Sequence, residues 1–212
     1  MKQELILTIG RRIGAGGLAV AKELSARLDA KMYDKELLAE AARSSGLSPE
    51  VFIPSDEKPR KRGLAALFSS RGYGPLTESM SHRSVLGDDN LFSLQSEVMH
   101  TLAEQHPRTI FVGRCADYIL RDCPNLFSVF ITAPLEQRTE MLARVWEVSP
   151  EAARKRIEQE EKRRADYYNY FTFQKWGDSA SYDLCIDAAA VGGNEAVVEV
   201  ILFALRKRGL ID

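Results

Sequence analysis

No stretch of this chain approaches the roughly 18 consecutive apolar residues that span a bilayer. The opening apolar strand, five or six residues long, is too short for a secretory signal core. The expectation is therefore a cytoplasmic protein with no membrane partner. Cysteine is scarce, at Cys115, Cys123 and Cys185, with no C-x-x-C pair, and an odd count without a leader points to reduced thiols rather than a disulfide frame. His82, His100 and His106 have no H-x-x-x-H spacing and no cysteine cluster beside them, so no metal ligands are expected. An excess of one charge is missing too. Lys and Arg number 29 against 30 Asp and Glu, giving a net charge of −1 and a pI near 6.4. That balance provides no general field for nucleic acid, and no nucleic-acid partner is expected.

What remains is an ordinary globular composition. The 212 residues are 45% hydrophobic and 28% charged, enough for one domain with a core that requires no covalent or metal staple. The most informative stretch is residues 5–17, Leu-Ile-Leu-Thr-Ile-Gly-Arg-Arg-Ile-Gly-Ala-Gly-Gly, an apolar strand running straight into a glycine-rich turn. Val20, Leu24 and Leu28 then repeat at helical spacing. A strand, glycine loop and helix in succession aim backbone N–H groups and a positive helix end at an anion. The loop departs from the phosphate-binding pattern G-x-x-x-x-G-K-[ST]. With Gly16 as its second glycine, Gly17 fills the lysine slot and Leu18 the hydroxyl slot. Arg11 and Arg12, on the other arm of the loop, could supply the missing cation.

Further along, strands are expected at 30–33, 109–112, 126–132 and 182–187, alternating with helices at 15–28, 35–45, 134–146 and 149–168 and near the C-terminus. Asp88-Asp89 caps a further helix carrying Leu91, Leu94, Val98 and Leu102. Ser48-Pro49-Glu50 suggests a short helix, and residues 54–89, rich in Pro, Gly and Ser, read as a mobile insert: either a flap over substrate or plain disorder. Strands alternating with helices predict an α/β protein built on a parallel sheet covered on both faces. Ligands of such sheets bind beyond the carboxyl ends of the strands, which here carry Gly10–Gly17, Asp34, Gly113–Arg114 and Thr132.

Arg114 follows a strand and a glycine, so its guanidinium fork is a candidate phosphate ligand, or else a partner for Asp117. Asp34 either accepts from a substrate hydroxyl or base, or caps the helix beginning at Lys35. The segment Glu161-Lys162-Arg163-Arg164-Ala165-Asp166-Tyr167-Tyr168-Asn169-Tyr170 places arginines and aromatics together. One reading is a lid that brings Arg163 or Arg164 to a transferring group while Glu160 and Glu161 stay in water. The other is a surface helix with ion pairs Glu158–Lys162 and Glu160–Arg164. The tyrosines serve equally as ligand cover or subunit contact, which leaves a homo-oligomer open.

Several of these segments together resemble a known family. They are Arg-Arg-Ile-Gly-Ala-Gly-Gly (11–17), Tyr33-Asp34-Lys35-Glu36-Leu37, Val112-Gly113-Arg114-Cys115-Ala116-Asp117-Tyr118-Ile119-Leu120, Gln137-Arg138, Tyr167-Tyr168-Asn169-Tyr170, Lys175-Trp176-Gly177-Asp178 and Tyr182-Asp183-Leu184-Cys185-Ile186. They are similar to the bacterial cytidylate kinase-like family, relatives of the nucleoside monophosphate kinases. The resemblance implies a single P-loop NTPase domain over 1–212, a three-layer sandwich with a five-stranded parallel sheet of order 2-3-1-4-5. It also implies an acceptor-side insert at about 54–89 and a helical lid at about 149–178. ATP and Mg²⁺ would be donor and metal, and a nucleoside monophosphate, with CMP or dCMP leading, the acceptor. Carried over, Gly14, Ala15, Gly16 and Gly17 would cradle the donor phosphates and Arg114 the acceptor phosphate. Arg163 and Arg164 would match lid arginines, and Asp34 maps to the acceptor side. The aspartate that follows Gly-Arg in cytidylate kinases is Cys115 here. Two other readings stand beside phosphoryl transfer: a nucleotide-responsive module without catalysis, and an interaction protein contacting a partner through the basic clusters at 58–62 and 162–164.

Overall fold

A computed structural model of the chain describes residues 4–34 and 78–212, with side chains described from Phe92 onward in the second stretch. In chain order the elements are β1 (Leu5–Arg11), α1 (Gly17–Leu28), β2 (Lys31–Tyr33), α2 (Glu78–Gln105), β3 (Arg108–Val112), α3 (Ala116–Ile119), β4 (Leu126–Thr132), α4 (Leu135–Trp146), α5 (Pro150–Thr172), β5 (Leu184–Asp187) and α6 (Asn194–Lys207). The five strands form one sheet in the order β2-β3-β1-β4-β5. All neighbours are parallel, with Leu5 opposite Arg108, Ile6 opposite Leu126, Lys31 opposite Thr109 and Val129 opposite Leu184. This is the expected sheet.

Side-chain alternation along the strands explains the layering. Leu5, Leu7 and Ile9 of β1 and Phe127, Val129 and Ile131 of β4 face α1 and α6, meeting Val20, Leu24, Val197, Ile201 and Leu205. Ile6, Phe111 and Phe130 face the opposite way, against Val98, Met99 and Leu102 of α2, Ile119 of α3 and Tyr168 of α5. Strands buried on both faces are predominantly apolar, as β1, β3 and β4 are, with Thr8, Thr109 and Ser128 the buried polar exceptions.

Boundaries differ most from expectation in three places, besides shifts of one or two residues such as the start of α1 at Gly17 rather than 15. Helix α2 begins at Glu78 rather than at the Asp88-Asp89 cap, so residues 78–89 of the expected insert are helical and the two aspartates lie within the helix. Their capping chemistry is overridden by a helix already under way, and no proline falls between 78 and 105 to stop it. Helix α5 runs to Thr172, four residues past Tyr168, and ends where Phe173 adopts a left-handed φ of 56°. Its start is as expected, with Ser149 Oγ accepting from the Ala152 N–H and Pro150 in the first turn. Strand β5 is shorter than 182–187 because Asp178 caps a single 3₁₀ turn at Ser179–Ser181 just ahead of it. The expected helices at 35–45 and 48–52, the rest of the insert, and the capping role of Asp34 toward Lys35 lie outside the described residues. Among the described residues, no helix is long and apolar enough to cross a membrane.

Candidate active site

Every strand of a parallel sheet ends on the same rim, and that rim carries the site. A cleft of roughly 270 Å³ is lined by Gly10 and Arg11 at the end of β1, Asp34 after β2, and Val112 to Cys115 after β3. Leu18 of α1, Asp117 of α3, Arg164, Tyr167 and Tyr168 of α5, and Trp176 and Tyr182 complete it. Four of the sequence-derived candidates, Arg11, Asp34, Arg114 and Arg164, therefore meet from four separate segments. The lining combines the arginines Arg11, Arg114 and Arg164 with the rings of Tyr167, Tyr168, Trp176 and Tyr182. Phe130 lies beneath, edge-on to Trp176 at 5.6 Å and tilted against Tyr182 at 5.0 Å.

The path of Arg11 explains the unusual glycine in the lysine slot. A β-carbon on Gly17 would stand 2.7 Å from Arg11 Cβ and 2.8 Å from its Cγ, and one on Gly113 would stand 2.1 Å from Arg11 Nη1. The arginine stem thus crosses directly over Gly17, and its guanidinium lies against Gly113, beside Arg114. Any side chain at 17 would compete for that space. The cation enters the site from the front of the loop instead of from the helix.

Arg114 is presented by a run of three left-handed residues, Gly113 (φ 79°), Arg114 (φ 59°) and Cys115 (φ 56°). Two non-glycine residues in this region cost on the order of 1–2 kcal/mol each. The turn is held by the N–H groups of Ala116 and Ile119 donating to the carbonyls of Gly113 and Cys115. Strain of this kind gathers where a backbone must aim a side chain. Here the chain reverses from β3 into α3 and leaves Arg114 facing the cleft.

The glycine loop is shaped by close packing. Gly14 and Gly16 have φ of 78° and 80°, and β-carbons there would stand 2.8 Å from Leu142 Cδ1 and 2.0 Å from Asn194 Oδ1. Glycine is required at both positions, by conformation and by contact. The N–H groups of Gly17, Leu18 and Ala19 open α1 and have no carbonyl within the helix to bond. They fit an anion such as a nucleotide phosphate. A magnesium ion is not fitted in the same way, because Leu18 has no side-chain oxygen to offer. Among the described residues no group of three His, Cys, Asp or Glu side chains stands ready for a metal.

Six candidates are not among the residues that line this cleft: the loop residues Gly14, Ala15, Gly16 and Gly17, and two arginines. Arg12 Nη1 donates to Glu161 Oε2 at 3.1 Å, and its guanidinium lies 4.8 Å from the Trp176 ring centroid, outside the lining of the cleft. Arg163 Nη1 donates to Glu160 Oε1 at 2.6 Å on a side chain 45% exposed, so it faces solvent. Of the two lid arginines only Arg164 reaches the site, because residues one apart on a helix point about 100° apart. The ion pairs along α5 also differ from those expected. They are Arg154–Glu158, Lys162–Asp166 and Arg163–Glu160.

Glu161 is the larger correction. It does not stay in water: its side chain is 13% exposed. Oε1 accepts from the Ile13 N–H of the glycine loop at 3.1 Å and from Arg138 Nη1 at 2.8 Å, while Oε2 takes Arg12. Arg138, 5% exposed, also donates to the carbonyls of Ile13 and Ala133, both at 2.8 Å. Sequence reasoning missed both. Glu161 sits in a run of identical charges, and only the buried register of α5 against the loop sets it apart. Arg138 was legible only as a motif residue, its four-residue offset from Leu142 placing it on the buried face of α4.

Asp117 was also passed over as a site residue. Burial lifts its carboxyl to about 6, opposed in part by the Tyr168 hydroxyl, which donates to Oδ2 at 2.6 Å. Burial likewise raises the phenols of Tyr168 and Tyr182 and the Cys115 thiol.

A parallel sheet of order 2-3-1-4-5, with a glycine loop leading from its central strand into a helix, defines a P-loop kinase fold. Two solved shikimate kinases share it. One, from Bacteroides thetaiotaomicron, superposes with a TM-score of 0.52 at 15% identity, over 95% of this chain and 98% of that one. The other, from Acinetobacter baumannii in complex with shikimate, gives 0.52 at 13% identity, over 98% and 96%. An uncharacterized protein from Eubacterium ventriosum ATCC 27560 is more similar, with a TM-score of 0.70 at 25% identity over 96% and 99%. Within this fold the chain belongs to the cytidylate kinase-like family, whose model matches residues 6–190. A cytidylate kinase of Methanosarcina barkeri (strain Fusaro / DSM 804) is 28% identical over 184 residues, 86% of each chain.

Proposed function

We propose that the protein transfers the γ-phosphoryl group of ATP to a nucleoside monophosphate, with CMP or dCMP the leading acceptor. The observation that supports this most is the convergence of Arg11, Arg114 and Arg164 on one cleft beside the glycine loop. In phosphoryl transfer the protein chiefly positions the reactants and stabilises charge on the transferring group. The backbone N–H groups at the start of α1 receive the donor phosphates, and Gly14 to Gly17 allow them to approach. Arg114 holds the acceptor phosphate. Arg11 takes the place of the loop lysine, and Arg164 closes over the transferring group from α5. Asp34 and the aromatic rings of the lining face the remainder of the acceptor. Mg²⁺ would accompany the nucleotide and is assigned no protein ligand.

The absent loop lysine and hydroxyl favour a second reading, in which the same cleft binds nucleotide without turning it over. One experiment separates the two. Thermal melts with ATP, Mg²⁺ and each nucleoside monophosphate identify the ligands, and product analysis on those ligands reports transfer. Arg114→Ala is expected to keep the native circular dichroism and to reduce turnover about a thousandfold, the scale of a phosphate-stabilising arginine. Stabilisation without product supports the binding module. No stabilisation by any nucleotide overturns both.

A further inference from the structure

Glu161, Arg164 and Tyr168 lie three and four residues apart on α5, so they share one face over about two turns. Arg164, in the middle, lines the cleft. Its two neighbours on that face are each tied to a different part of the rim. N-terminal to it, Glu161 is bound by Arg12, Arg138 and the Ile13 N–H of the glycine loop. C-terminal to it, the Tyr168 hydroxyl donates to Asp117 on α3 and lies 3.1 Å from Gln174 Oε1. Arg138 is itself anchored to the loop and to the end of β4, so the first attachment joins α5 to the two central strands.

We infer that Glu161 and Asp117 are positioning residues: they fasten α5 on either side of Arg164 and so hold its guanidinium in the cleft before any anion arrives. The Glu161 attachment stands outside the cleft lining, and its influence on a bound anion runs through the helix it fixes. A long arginine side chain loses rotamer freedom when it binds, and a helix already seated removes the additional cost of ordering the backbone beneath it. Salt bridges on exposed helices contribute little, but this one is enclosed, shared by two guanidiniums and completed by a backbone donor. The inference rests on the proposed phosphate-binding role of the cleft, and its test keeps the two apart.

The probe is inorganic phosphate, titrated calorimetrically into the full chain, with CMP titrated in parallel. Glu161→Gln and Tyr168→Phe are each expected to weaken phosphate binding five- to tenfold. In an Arg164→Ala background the same substitutions are expected to change it less than twofold, because the residue they act through is gone. A purely structural contribution, or direct contact of Tyr168 with the anion, gives equal factors in both backgrounds and overturns the inference. Circular dichroism checks each variant, and Tyr168→Phe keeps its ring packing, so one arm stands if Glu161→Gln fails to fold. Coupled phosphate binding without CMP binding defeats the proposed acceptor and leaves the positioning roles. A wild-type chain that binds neither overturns both.

Discussion

At position 17 a glycine makes room for an arginine stem that crosses the loop. The stem of Arg11 occupies the volume above Gly17, within 2.8 Å of where a β-carbon would be. Restoring the conventional residue with Gly17→Lys therefore does not add a second cation to an open site; it drives two stems into one space. Overpacking of this kind costs about 1–3 kcal/mol. The expected outcome is a lower melting temperature and weaker ATP binding than wild type. In the double variant Arg11→Ala/Gly17→Lys the clash disappears, so stability should return and ATP binding should recover at least in part. Thermal melts with and without ATP check this. A fully stable Gly17→Lys chain that binds ATP more tightly would show that the two positions do not compete. The glycine was visible in the sequence as a departure from the motif. The reason for it was not, since the answer lies in a side chain six residues earlier and in Gly113, a hundred residues away.

Elements decide which of several identical residue types act. In the run Glu-Gln-Glu-Glu-Lys-Arg-Arg, sequence offers three glutamates and two arginines with nothing to tell them apart. The register of α5 selects Glu161 and Arg164 inward and leaves Glu160 and Arg163 to pair with each other outside. The short α3 makes a similar selection, carrying Asp117 back toward α5, where it is nearly desolvated. Because burial raises this carboxyl to about 6 from an ordinary value near 4, the folded chain keeps a proton that the unfolded chain releases. The group's contribution is thus most favourable below pH 4, declines as pH rises from about 4 to 6, and is constant above. Asp117→Asn keeps an acceptor for Tyr168 but cannot ionise. The melting temperature of Asp117→Asn minus that of wild type should therefore climb between pH 4 and pH 7. Melts across that range measure it, and a difference that stays level would mean Asp117 is solvated in the native state.

Over the whole molecule, the parts most legible in sequence are those governed by periodicity and by chain direction. Apolar runs gave the strands, 3.6-residue stripes gave α1 and α6, and parallel strands oblige Gly10–Arg12, Asp34 and Gly113–Arg114 to share a rim. Contacts between distant segments, such as Arg138 with Ile13 or Phe130 beneath Gly10, have no local signature. Phe130 makes this concrete, because it belongs to the core and packs against Trp176 and Tyr182 of the cleft lining. A β-carbon on Gly10 would lie 2.7 Å from its ring, one on Gly177 2.9 Å, and Trp176 and Tyr182 rest on it. Leu205, fully buried against the other face among α1 and α6, is not one of the residues that line the cleft. Phe130→Ala and Leu205→Ala should each cost about 3–5 kcal/mol, roughly 10 °C for a chain of this size. Their response to ligand should differ. A nucleotide at a hundred times its Kd stabilises by about 2.7 kcal/mol, or some 5–10 °C here. Leu205→Ala should retain that increment, since only the far core is loosened. Phe130→Ala should lose most of it, because Trp176 and Tyr182 lose the ring they pack against. Melts of the two variants with and without CMP distinguish these outcomes, and an undiminished increment in Phe130→Ala would separate the aromatic core from the binding site.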